Sequence, residues 1–92
     1  MKVTVMFFGP LGEQAGQETV QFDLPKGGTY GDLLNEIGQK FGNQFHERIW
    51  DAQENTFKAG ILIVGTGRDL DSRETPLNEG EEIKIVPILG GG

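Results

Sequence analysis

The chain has 92 residues with no cysteine and one histidine, and 8 Lys and Arg against 14 Asp and Glu give a formal net charge of −6. This size predicts one domain, the charge argues against nucleic acid or an anionic membrane as a partner, and the lack of cysteine excludes disulfides, thiolate nucleophiles and cysteine-based zinc sites. No apolar segment approaches the roughly 18 residues of a membrane span and the N-terminus does not resemble a signal peptide, so we expect a cytoplasmic protein.

Two alternating segments predict the first two strands. In residues 2–8, Val3, Val5 and Phe7 share one face, and Met6 and Phe8 lie on the other. Residues 9–10 are Gly-Pro, which ends this strand, and residues 11–16 form a loop or a short helical turn. Residues 18–24 alternate more regularly, which favours antiparallel pairing with the first strand.

The middle of the chain predicts helices. Thr29, followed three residues later by Asp32, is a variant of the capping box that starts a helix. Apolar residues then recur at three- and four-residue spacing as far as Phe41, and Gly42 suits the left-handed position that closes a helix. Residues 43–50 predict a second short helix, with Phe45 and Ile49 four apart, and residues 51–56 a polar loop.

The last third of the chain predicts two more strands. Residues 57–64 indicate a buried strand, residues 65–67 a turn, and residues 68–78 an irregular segment anchored by Leu70 and Leu77. Residues 82–87 are the last strand, with Ile83 and Ile85 on one face. The order strand, strand, helix, strand, strand favours an α+β fold, a mixed sheet of about four to five strands with one main helix packed across it. The domain would span residues 1–87, followed by a flexible Gly-rich tail at 88–92.

Most polar motifs in the chain carry little chemistry. There is no phosphate-binding loop, and residues 65–68 lack the third glycine of a dinucleotide fingerprint. The acidic groups at 69, 71 and 74 and at 79, 81 and 82 could bind a cation, but their spacing does not match a calcium loop and favours a solvated surface. His46 reads as a surface residue rather than a proton-transfer group. We therefore expect no metal site.

The C-terminal glycines are the strongest functional signal. Gly90, Gly91 and Gly92 follow the last strand directly, and without side chains they can thread a narrow channel and leave the terminal carboxylate open. Four residues from Leu89 reach about 13 Å when extended. A carboxylate becomes an acyl donor only after activation, for instance by adenylation, which a partner would have to supply. The alternative is a frayed terminus or a cloning remnant.

A second signal is a possible apolar patch. If the first and last strands are neighbours, Met6, Phe8 and Val86 lie together beside the exit of the tail. A contiguous exposed patch of this kind often marks a protein contact. The alternative is that a loop covers it.

The chain resembles the MoaD/ThiS family of sulfur carriers over nearly its whole length, and most of all the MoaD branch, the small subunit of molybdopterin synthase. The matching segments are Val-Met-Phe-Phe-Gly at 5–9, Leu-Gly-Glu-Gln-Ala-Gly at 11–16, residues 75–83, and Ile-Val-Pro-Ile-Leu-Gly-Gly-Gly at 85–92. The resemblance implies a ubiquitin-like β-grasp, in which the first and last strands form a parallel central pair.

The resemblance also implies a carrier rather than an enzyme. A ubiquitin-activating-type adenylating enzyme would use ATP and Mg²⁺, neither bound by this chain, to convert the Gly92 carboxylate to an acyl-adenylate, and a sulfur donor would then form a thiocarboxylate. The chain would pass sulfur to a pterin while bound to the large subunit of molybdopterin synthase in a heterotetramer. Gly90 and Gly91 would thread the partner's channel, and Met6, Phe8, Val86 and Leu89 would contact partners.

Several departures from the family pattern leave other roles open. The family usually has Asn where Gly65 stands, the chain ends in three glycines, and Ile88 and Leu89 replace a proline and a small residue. The alternatives are a sulfur carrier for thiamine or cysteine synthesis, a modifier conjugated to protein lysines through Gly92, and a binding module with an idle tail.

Overall fold

The structure is a computed structural model and describes residues 1–88. Alternating and helical segments of the sequence form elements in the predicted order, with additional short ones between them. In chain order they are β1 (Lys2–Phe7), α1 (Pro10–Ala15), β2 (Thr19–Asp23), α2 (Tyr30–Phe41), β3 (Trp50–Asp51), β4 (Thr56–Phe57), β5 (Ile61–Gly65), β6 (Arg68–Asp69) and β7 (Glu82–Pro87).

A mixed five-stranded sheet has the order β2-β1-β7-β5-β6, while β3 and β4 form a separate hairpin. Strand β1 pairs antiparallel with β2 and parallel with β7, so that Val5 lies between Val20 and Ile83. Strand β7 in turn pairs antiparallel with β5. The first and last strands of the chain, β1 and β7, are therefore the parallel central pair of a ubiquitin-like β-grasp, as expected.

The core lies between one face of this sheet and α2. Alternate residues of β1, β2 and β7 are buried, and so is the apolar stripe of α2. The ring of Phe41 meets that of Phe7 edge-on at 5.5 Å between centroids and that of Phe22 at 6.4 Å. Because side chains alternate across a strand, burying one face of the sheet leaves the opposite face of β1 and β7 without a helix against it.

The start of α2 and its last residue, Phe41, are as predicted, but the conformation that follows the helix is not. The Thr29 hydroxyl accepts a hydrogen bond from the Asp32 N–H at 3.2 Å, and the Asp32 carboxylate accepts one from the Thr29 N–H at 2.9 Å, which completes the capping box. Gly42 has φ −54° and ψ −37°, so the predicted left-handed closure is wrong. The chain instead continues through turns, in which the Phe41 carbonyl accepts from Gln44 N–H.

The second helix predicted for residues 43–50 is wrong. These residues form turns that lead into β3, where Trp50 pairs with Phe57 of β4. The ring of Phe45 lies 5.6 Å from those of both Phe7 and Phe57, and 6.0 Å from that of Trp50. Aromatic packing against β1 and the hairpin therefore explains the burial of Phe45. Ile49 is buried in the same core, and the four-residue spacing of the two imitates a helix.

The strand predicted for residues 57–64 is divided in two. Phe57 belongs to β4, whereas β5 begins at Ile61. The break falls at Gly60, whose φ of +93° is a conformation that residues with a side chain rarely adopt. Earlier in the chain, the segment predicted as a loop or a short helical turn contains the six-residue helix α1.

Ile85 provides a test of this core. Its side chain is fully buried in β7, so we expect Ile85→Ala to lower the free energy of unfolding by about 2–5 kcal/mol through the cavity it leaves. The measurement is urea denaturation followed by circular dichroism. Ile88→Ala is the matched control because Ile88 is 57% exposed, and equal losses in the two variants would contradict this description of the core.

Candidate functional site: an apolar sheet face beside the C-terminal exit

The sheet face opposite α2 carries two rows of side chains that cross three strands. The first row is Met6, Lys84 and Val64, since Lys84 of β7 pairs with Met6 of β1 and with Val64 of β5. The second row comprises Phe8, Val86 and Leu62. Val86 pairs with Leu62, and the Phe8 N–H donates to the Ile85 carbonyl at 3.0 Å. We call these six residues the outer face.

The outer face is apolar apart from Lys84. Phe8 is 41% exposed and Leu62 38% exposed, while Met6, Val64 and Val86 are half-buried. The structure thus brings together three of the residues predicted to contact partners, namely Met6, Phe8 and Val86. The fourth, Leu89, lies outside the described residues. Their role in partner binding stays a prediction.

Three apolar residues on or beside the outer face were not predicted from the sequence. Leu62 and Val64 belong to the run Ile-Leu-Ile-Val, which reads as a strand buried on both faces, and Ile88 was assigned to the tail. In the sheet only Ile61 and Ile63 of this run pack against the core. The signal that would have revealed Leu62 is its pairing with Val86, which depends on the register between two strands about 20 residues apart.

The chain leaves the sheet beside the second row. Pro87 at the end of β7 pairs with Ile61, and the Ile88 N–H donates to the Gly60 carbonyl at 2.8 Å. Residues 1–88 therefore hold the start of the tail at a fixed position next to Leu62 and Val86. The predicted acyl residue Gly92 and the threading residues Gly90 and Gly91 lie beyond the part of the chain that the structure describes.

An ion pair between a buried carboxylate and a partly exposed arginine fixes the start of β7, at the opposite end of that strand from the tail. The Glu81 side chain is fully buried, and its two carboxylate oxygens accept hydrogen bonds from Arg68 Nε at 3.0 Å and Nη2 at 2.7 Å. They also accept from the backbone N–H groups of Thr66 and Asn78 at 3.1 and 3.0 Å. Glu81 was expected on a solvated acidic surface, and that prediction is wrong because Arg68, 13 residues away, neutralises it.

The same ion pair explains two properties of its surroundings. Hydrogen bonds from Arg68 hold the pKa of the Glu81 carboxyl below its usual range, against the opposing effect of burial. Gly65 faces this carboxylate, and a Cβ at that position would collide with the Glu81 Oε2 atom. The glycine that departs from the family pattern therefore leaves the room that the buried carboxylate occupies.

The remaining polar candidates lie apart from this region. His46 is exposed, and its Nδ1 accepts a hydrogen bond from the Arg48 N–H at 3.1 Å. Among residues 1–88, no group of three His, Asp or Glu side chains is arranged to hold a metal ion. Over the same residues, neither helix combines the length and apolar character that crossing a bilayer requires.

Comparison with known proteins identifies the family. The model of the ThiS family matches residues 5–92, which include the outer face and the terminal glycines. The chain belongs to the ThiS family. As a ThiS-family protein it shares the domain with MoaD-like proteins and with small archaeal modifiers, so the predicted MoaD/ThiS relationship is confirmed at the level of the family.

The proteins similar to this chain include small archaeal modifiers and a molybdopterin-converting factor. Small archaeal modifier protein 3 of Haloferax volcanii is 24% identical over the full length of both chains. The crystal structure of SAMP1 from Haloferax volcanii matches with a TM-score of 0.82 and 22% identity, covering all of both chains. One chain of the complex of subunits 1 and 2 of the molybdopterin-converting factor from Helicobacter pylori matches with a TM-score of 0.65 and 23% identity, over all of that chain and all of this one.

Proposed function

We propose that this ThiS-family protein is a sulfur carrier whose terminal residue, Gly92, is activated and converted to a thiocarboxylate by partner enzymes. The observation that carries the proposal is the position of the outer face. It is a largely apolar surface that lies directly beside the point where the chain leaves the sheet toward its glycines. A partner bound to this face can receive Gly92 in its active site if that site lies within about 13 Å of Ile88, the extended reach of four residues.

The proposed chemistry belongs to the partner, and the chain supplies the acyl group. A Gly92 carboxylate oxygen attacks the α-phosphorus of ATP, pyrophosphate leaves, and an acyl-adenylate forms. Sulfur from a persulfide or hydrosulfide donor then attacks the acyl carbon and AMP leaves. With a persulfide donor, a reducing thiol is needed to cleave the S–S bond. The carrier contributes a tail thin enough to enter the partner's channel, because glycine has no Cβ. ATP and Mg²⁺ are bound by an adenylating enzyme of the ubiquitin-activating type.

The sulfur acceptor that we favour is a pterin, with the chain acting as the small subunit of molybdopterin synthase. Two findings support this role: the resemblance of residues 85–92 to the MoaD branch and the fold shared with the Helicobacter pylori converting-factor complex. In this proposal the chain joins the large synthase subunit in a cytoplasmic heterotetramer. The large subunit contacts the same residues as the adenylating enzyme, namely Met6, Phe8, Val86 and Leu89.

A second candidate function is protein modification through Gly92. It is favoured by the relative named small archaeal modifier protein 3, which matches over the full length of both chains. The two functions share activation at Gly92 and differ in the nucleophile, since a target lysine amine would form an isopeptide in place of the thiocarboxylate. Transfer of sulfur to the thiamine or cysteine pathways is a further variant of the first function.

Mass spectrometry tests the shared step. We expect incubation with an adenylating enzyme from the same organism, ATP, Mg²⁺ and sulfide to raise the mass of the chain by about 16 Da, since one carboxylate oxygen is exchanged for sulfur. A reaction without ATP is the control. The enzyme is shown to be active by a parallel reaction with another carrier. If that carrier is activated and the mass of this chain stays unchanged, the proposal is contradicted. Deletion of the gene then distinguishes the functions. Loss of molybdoenzyme activity indicates a pterin acceptor, and a requirement for thiamine or cysteine indicates one of those pathways. Loss of glycine remnants on lysines indicates protein modification.

A further inference from the structure

Lys84 is the one charged residue of the outer face. Met6 and Val64 flank it across the sheet, and Val86 lies two residues along β7 on the same face. The side chain is exposed. Its fourth neighbour on this face is Glu82, two residues back along the strand, which is also exposed. A cation thus stands next to apolar side chains in three directions.

Among residues 1–88, no carboxylate lies within 4.0 Å of this ammonium group. Over residues 1–88 the ion pairs within 4.0 Å are Met1 with Asp23 and Arg68 with Glu81, neither of which involves Lys84. Besides Glu82, the nearest acid along its row is Asp69, which pairs with Val64 one strand farther out. In the free protein, water solvates the ammonium group.

A partner that covers the outer face removes this water. An ammonium group buried without a counter-charge costs far more than apolar contact around it returns, whereas a well-placed carboxylate offsets the loss. The net charge of −6 makes the rest of the chain a poor surface for a partner's acidic residues. Lys84 is therefore the point on this face where a carboxylate is favourable, so it can fix the orientation of the partner.

We propose that Lys84 determines the specificity of the outer face, and that the adenylating enzyme places an Asp or Glu side chain opposite it within an apolar surface. This inference rests on the proposed function, since it concerns the partner that activates Gly92. Lys84 is a positioning residue. It orients the body of the carrier so that the tail, which begins at Ile88, enters the partner's channel.

Binding measurements with the full chain and the adenylating enzyme of the same organism test this pairing. We expect Lys84→Met, which keeps the apolar stem, to weaken the affinity about tenfold to hundredfold and to reduce its dependence on salt. Lys84→Glu should weaken it further, because two carboxylates would then face each other. The matched control is Lys58→Met, since Lys58 is an exposed lysine outside the outer face, and it should bind like the wild type.

Two further variants distinguish the possible failures. Glu82→Gln should bind at least as tightly as the wild type, because Glu82 repels the partner's carboxylate. If it weakens binding as much as Lys84→Met does, Glu82 is the counter-charge and the inference is overturned. If Val86→Glu abolishes binding while Lys84→Met does not change it, the outer face docks without this ion pair and only the inference fails. A wild-type chain that gains no thiocarboxylate overturns the proposed function itself.

Discussion

Gly91→Val is expected to lower the rate of thiocarboxylate formation by at least about a hundredfold while leaving the melting temperature unchanged. The physical reason is that a branched Cβ widens the chain at the position that must pass through the partner's channel. The five-stranded sheet and the core described for residues 1–88 do not include this position, so we expect the substitution to leave stability unchanged. Single-turnover assays with the adenylating enzyme, read by mass spectrometry, measure the rate.

Two truncations complete this test. Removing both Gly91 and Gly92 should abolish the reaction, since it shortens the reach of the terminal carboxylate by about 7 Å. Removing Gly92 alone still leaves a Gly-Gly end and shows whether the third glycine sets the reach. A doubly truncated chain that is activated at the wild-type rate would refute the role of the tail. A loss of stability equal to the loss of activity would show that the tail is structural.

Glu81→Ala is expected to lower the free energy of unfolding by about 2–3 kcal/mol, because it leaves the partly exposed Arg68 and two backbone N–H groups without their acceptor. The Glu81 carboxylate joins Arg68, Thr66 and Asn78 at the start of β7. The substitution leaves all three donors without this acceptor. Urea denaturation measures the loss, and Glu82→Ala, which changes an exposed acid in the next position, is the control and should have little effect. Equal effects would mean that the pair contributes no more than a surface charge.

The stabilisation by Glu81 should depend on pH in a defined direction. Its pKa is lowered in the folded state from an ordinary value of 4.5, so the contribution is complete above that value and is lost as the pH falls through the folded pKa. We expect the difference in unfolding free energy between wild type and Glu81→Ala to be constant at neutral pH and to shrink below about pH 4.5. A difference that grows with acidification would contradict this sign.

Local patterns in the sequence predicted the elements that carry the site. Strict alternation predicted β1, β2 and β7, because one face of each is buried and the other is not. The three- and four-residue spacing and the Thr29–Asp32 pair predicted α2. Once the first and last strands were taken as neighbours, alternation alone placed Met6, Phe8 and Val86 on one face. Each of these inferences depends on residues that are close in sequence.

Residues 43–60 were poorly predicted from the sequence. Phe45 and Ile49 have helical spacing, yet they are buried by turns that pack on β1 and on the hairpin of β3 and β4. Short aromatic segments of this kind have no regular period that distinguishes a turn from a helix. Contact with Phe7, which lies far away in the sequence, decides the outcome.

The sequence by itself determined that this chain is a small sheet-and-helix domain, and its three last residues, all glycine, are the basis of the proposed acyl role. Only the tertiary structure decided which charge is buried and which apolar side chains are exposed. Glu81 reads as surface until Arg68 is placed against it, and Leu62 reads as core until it is paired with Val86. The reason is physical: the solvation of a side chain depends on its neighbours in space, and in a sheet these neighbours are set by the register between distant strands.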